Sequence, residues 1–96
     1  MAFVILKSKG NDEDVVNIFL QDDKVSRMTV LKREGSIYGE DGTIYLFEGN
    51  DEAVSYVRAK RPASMIELDP EKAEKIYTKI KEENDNAEQG MGFVFG

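Results

Sequence analysis

Acidic turns cut the apolar content of this chain into short pieces, and that spacing limits what it can fold into. Asn11-Asp12-Glu13-Asp14, Gln21-Asp22-Asp23, Gly39-Glu40-Asp41-Gly42, Glu48-Gly49-Asn50-Asp51-Glu52 and Asp69-Pro70-Glu71 each interrupt a run rich in Val, Ile, Leu, Phe and Tyr. Runs this short suit strands and brief helices, and none approaches the roughly 18 apolar residues of a membrane span. With 96 residues, 41% apolar and 33% charged, the chain has the size and balance of a single globular domain, 1–96.

Phe3-Val4-Ile5-Leu6 reads as a strand buried on both faces, and Thr43-Ile44-Tyr45-Leu46-Phe47 as the clearest strand of all. Val25 to Lys32 and Ser64 to Leu68 read as further strands. Val15 to Leu20 fits two patterns: Val16, Ile18 and Leu20 alternate as in a strand, whereas Val15, Val16, Phe19 and Leu20 suit a helix. Its β-branched residues favour strand. Asn50 or Asp51 can cap a helix that stops at Arg61-Pro62, since the residue before proline avoids helical backbone. Asp69-Pro70-Glu71 opens a second helix, whose Ala73, Ile76, Tyr77 and Ile80 form one apolar stripe. Residues 84–90 read as a loose polar connection, and Phe93-Val94-Phe95, within 91–96, as an edge strand able to pair with a protein partner or a second copy.

The expected fold is therefore α+β: an antiparallel sheet of five to six strands with two helices from the C-terminal half on one face. If 15–20 is helical, the order becomes β-α-β-β-α-β with an extra helix, a ferredoxin-like arrangement.

Composition removes several function classes. Without cysteine or histidine, the chain has no thiolate chemistry, no disulfide and none of the commonest transition-metal ligands. A net charge of -6, from 19 acidic and 13 basic side chains, repels nucleic acid. The start Met1-Ala2-Phe3-Val4-Ile5-Leu6 lacks a basic leader, so a cytoplasmic location is expected.

The acids themselves suggest a hard cation, Ca²⁺ ahead of Mg²⁺. Because consecutive elements usually reverse direction, alternate turns share an end of the domain. One end then collects Asp22, Asp23, Glu48, Asp51 and Glu52 beside Lys24 alone, and these are the first-choice metal ligands. Asp12, Glu13, Asp14, Glu40 and Asp41 form the second choice, beside more basic side chains. Asp41-Gly42 through Glu48 is similar to the second half of a helix–loop–helix calcium loop, but Ile37 and Gly39 fall where its first ligands belong. Asp51, Glu52, Asp69 and Glu71 also have ordinary work at helix N-termini. No catalytic motif occurs and no organic cofactor is implied, so a non-enzyme is expected.

Two functions follow as expectations: divalent-cation binding by acidic loops, or a protein-interaction module or homodimer using a sheet edge or helix face. Turns such as Gly10-Asn11-Asp12-Glu13-Asp14 and Gly49-Asn50-Asp51-Glu52, together with the lack of Cys and His, resemble small uncharacterised acidic proteins of methanogenic and thermophilic archaea. The resemblance implies a cytoplasmic α+β protein and carries no site residues with it.

Overall fold

The computed structural model describes residues 2–10 and 12–83. The chain runs β1 (Ala2–Ser8), α1 (Glu13–Leu20), a 3₁₀ turn at Val25–Arg27, β2 (Thr29–Glu34), a 3₁₀ turn at Gly35–Tyr38, β3 (Thr43–Gly49), α2 (Asp51–Lys60), β4 (Ile66–Glu67) and α3 (Pro70–Phe95). The sheet has four antiparallel strands in the order β2-β3-β1-β4. The α+β class holds, and the element order is the one expected if 15–20 is helical. The expectations for 84–90 and for Phe93-Val94-Phe95 lie outside the described residues.

Three details differ from the sequence reading. Residues 15–20 belong to α1, not to a strand. Val16 and Phe19 enter the core one turn apart, whereas the strand pattern would have buried Ile18, which is 71% exposed. Burial thus overrides the β preference of the branched side chains. Second, Val25–Arg27 is a 3₁₀ turn, so β2 starts only at Thr29. With these changes the sheet has four strands among the described residues, fewer than the five to six expected.

Third, the two C-terminal-half helices lie on opposite faces. Side chains alternate across a strand, and β1 sends Val4 and Leu6 to one side and Ile5 to the other. The first side meets Tyr45, Phe47, Val16 and Phe19 of α1, and Val54 and Val57 of α2. Ile5 meets Ile44, Leu46 and the α3 stripe Ala73, Ile76 and Ile80. The sheet is covered on both sides, which explains why its central strands are apolar without alternation.

α3 crosses the strands. Tyr77 stacks on Phe3 of β1 with ring centroids 4.0 Å apart. One turn later Lys81 Nζ reaches Glu48 of β3 at 2.7 Å, and Glu83 stands 3.9 Å from the Arg33 guanidinium of β2. Local signals set the helix boundaries. The Asn50 side chain accepts the Ala53 N–H at 2.7 Å, Arg61 before Pro62 is extended, and Pro70 occupies the first position of α3.

The turn into β3 depends on Gly42, whose φ is 87° and where an added Cβ would lie 2.2 Å from the Ser8 carbonyl oxygen. Gly39 is also left-handed, at φ 78°, but open space surrounds it. Gly39→Ala should therefore cost about 1–2 kcal/mol from backbone conformation alone. Gly42→Ala should cost clearly more, because Ser8 is held in register with Thr43. Urea midpoints at unchanged slope measure both; equal losses would show that the Ser8 approach is not limiting.

Candidate functional site

The strand registers confirm which turns share an end. Ser8 and Glu34 both pair with Thr43, while Ala2 pairs with Gly49 and Thr29 with Glu48. The sheet nevertheless separates carboxylates that share an end, because they project from its two faces.

Glu48 projects to the α3 side. It is 3% exposed, and its two oxygens accept from Tyr77 OH at 2.9 Å and Lys81 Nζ at 2.7 Å. A buried carboxylate is tolerable only with such partners. Burial, followed by the bond to Glu48, pushes the Tyr77 hydroxyl pKa up. Asp22 lies toward α2 on the other face. Its Oδ1 accepts the backbone N–H groups of Lys24 and Val25 at 2.9 and 3.3 Å, and its Oδ2 accepts Tyr56 OH at 2.7 Å. The Tyr56 hydrogen bond is the main reason its carboxyl sits below the usual range. Asp23 pairs with Arg27 at 3.4 Å on the surface. Asp51 and Glu52 occupy the exposed first turn of α2, where they complement the helix dipole.

The second-choice set divides in the same way. Lys7 Nζ sits between Asp41 and Glu40, at 2.9 and 3.3 Å, and Lys72 approaches Glu40 from α3 at 3.7 Å. Across the sheet, Asp12 at the head of α1 accepts the Ser8 hydroxyl. The neighbouring hydroxyl groups of Ser64 and then Ser8 hold the Asp12 carboxyl below its usual range. Glu13 and Asp14 form the exposed first turn of α1. Among the described residues, no group of three or more Asp or Glu side chains is gathered as metal ligands.

A cleft of about 670 Å³ runs beside α3, lined by Tyr38, Ile76, three lysines and four glutamates. Its interleaved charges select neither sign of ligand. Among the described residues, no helix is long and apolar enough to cross a membrane.

The feature that sequence reasoning missed is the outward side of α1. Val15 is 47% and Ile18 71% exposed, three positions apart and so adjacent on the helix surface. Reading 15–20 as a strand hid this pair. The signal that could have exposed it is Glu13-Asp14, acids suited to a helix N-terminus. Comparison of the chain with protein-family models, with curated proteins and with solved structures finds no match in any of the three.

The Asp22–Tyr56 bond gives a pH test. A depressed carboxyl pKa contributes stability that is present above the unfolded-state value and is lost as pH falls through the folded one. Tyr56→Phe should raise the Asp22 pKa toward the ordinary value, measured by carboxyl NMR titration. The stability gap between wild type and variant that this group causes should then close as pH falls through the depressed value. A gap of constant size across that range would show that the bond is not linked to ionisation.

Proposed function

We propose that this chain is a protein-interaction module whose docking face is the outer side of α1. The observation that supports the reading is the paired exposure of Val15 and Ile18 on a helix whose other side, through Val16 and Phe19, is committed to the core. Single exposed apolar residues are ordinary on protein surfaces, but two in contact range on one ridge form a small anchor. The other large exposed apolar side chains among the described residues, Ile37 and Ile66, sit on separate elements. The β2 edge is a weaker candidate, since Lys32 and Arg33 place charge along it and edge charge opposes strand addition.

The acids fit this reading as caps and ion-pair partners that also keep the surface soluble. Cation binding by Asp22, Asp23, Asp51 and Glu52 competes with it, and would require Asp22 to exchange its Tyr56 and backbone donors for the metal. A calcium titration followed by amide shifts separates the two. The interaction reading expects no saturable shifts at 21–24 and 50–52. Saturable shifts there, lost in the D22N/D23N double variant, would favour the cation.

The docking face is tested by selecting peptides from a random display library on the folded chain. Selected peptides should shift amides of α1 and should lose binding to Ile18→Ser. That substitution should change folding stability by no more than about 0.5 kcal/mol, as expected of an exposed site. Peptides that bind Ile18→Ser as well as wild type would overturn the assignment of α1.

A further inference from the structure

Resting on the assignment of α1 as the docking face, we infer that its occupant is a basic amphipathic peptide segment: an apolar anchor with a lysine or arginine on each side.

The inference comes from what frames the apolar pair. From Glu13 to Asp23 the sequence holds four acids and no base. Glu13 and Asp14 lie in the first turn of α1, before and beside Val15. Asp22 and Asp23 follow the last turn, one helical repeat beyond Ile18. The end of α1 carries no basic residue, so the partial negative charge of its terminal carbonyls adds to those two carboxylates. Cations complement a helix C-terminus, yet here two acids come first and the nearest following base is Lys24.

The nearby bases have other partners. Arg27 pairs with Asp23 at 3.4 Å on the surface, and Lys24 Nζ lies 4.8 Å from the centre of the Tyr56 ring. Neither covers Val15 or the acids at the start of the helix. A cationic group from a partner would contend with Arg27 for Asp23 and would meet Glu13 and Asp14 directly.

The spacing makes the inference specific. The Asp22 N–H bonds to the Phe19 carbonyl at 3.1 Å, a tight turn that closes directly on the end of α1 at Leu20. Counted at about 1.5 Å per residue, the turn at Asp22–Asp23 lies on the order of 12 Å along the axis from Asp14. A partner helix matches this with basic residues about eight positions apart, or an extended segment with about four. In both, the apolar side chain that meets Val15 and Ile18 sits midway. An acidic or anionic occupant would be repelled by Glu13 and Asp14 at the start of the helix.

The probes are three synthetic peptides with leucine at the same helical spacing and the remaining positions lysine, glutamine or glutamate. Amide shifts of the full chain are the readout. The leucine–lysine peptide should shift residues 13–23 saturably, bind more tightly than the glutamine peptide, and leave the glutamate peptide without effect. Raising salt from about 0.1 M to about 1 M shortens the screening length from about 10 Å to about 3 Å and should weaken binding severalfold. The E13Q/D14N/D23N triple variant, which spares Asp22 and its bonds to Tyr56, should bind roughly tenfold more weakly, as three surface ion pairs would. Ile18→Ser should remove the shifts. If the glutamine peptide binds α1 as tightly as the lysine peptide, the basic partner is overturned while the docking face stands. If the lysine peptide shifts the acidic surface diffusely and ignores Ile18→Ser, both are overturned. No binding by any of the three up to about 1 mM, the limit of weak recognition, overturns the basic partner, and the library selection then decides the face.

Discussion

The structure depends on the pairing of β1 with β3 at the centre of the sheet. Val4 with Phe47, Ile5 with Leu46, and Leu6 with Tyr45 set alternate side chains above and below one plane, so a single ladder seeds two cores. A slip of one residue would exchange the α1/α2 core with the α3 core and would swing Glu48 to the wrong side. The short β4 and the charged β2 contribute less to that choice, since each meets solvent along one edge. Phe19 and Phe47, edge to face with centroids 5.9 Å apart, tie α1 to the same ladder.

Glu48 shows how the acids were placed around this centre. A carboxylate on a central strand loses its water and is tolerated here because Tyr77 and Lys81 meet its two oxygens from α3. Such a group contributes specificity more readily than stability, since an apolar residue of similar volume would avoid the desolvation altogether. Here it joins β3 to two successive turns of α3. Asp22 performs a related task on the other face, joining the end of α1 to the middle of α2 through one tyrosine hydroxyl. The carboxylates that look interchangeable in the sequence thus have different employment, settled by which face of the sheet each one meets.

Much of the fold was legible where the cause is local. β3, the Asn50 cap, the stop at Arg61-Pro62 and the start at Pro70 are each decided by a few neighbouring residues. Residues 15–20 were not, because Val15-Val16-Asn17-Ile18 satisfies both periods and only the burial of Val16 and Phe19 against distant strands separates them. Turn order placed the acidic loops at the correct ends but carried no information about faces, so Glu48 was grouped with Asp22 across a sheet that divides them. The tyrosine partners of these acids lie 34 and 29 positions away, beyond any local pattern. The α1 ridge was hidden for the same reason: exposure is a property of the packed chain.

The transverse path of α3 has a consequence for how the chain is made. Ile5, Ile44 and Leu46 are in place once β3 has paired with β1, yet the buried side chains that cover them, Leu68 and the α3 residues Ala73, Ile76 and Ile80, come later in the chain. During synthesis at about 5–20 residues per second, this half of the sheet lacks most of its cover for a few seconds after α1 and α2 have been made for the other half. The nascent chain therefore passes through a two-layered stage with one greasy side. In that interval the acidic turns at both ends oppose the association of neighbouring nascent copies.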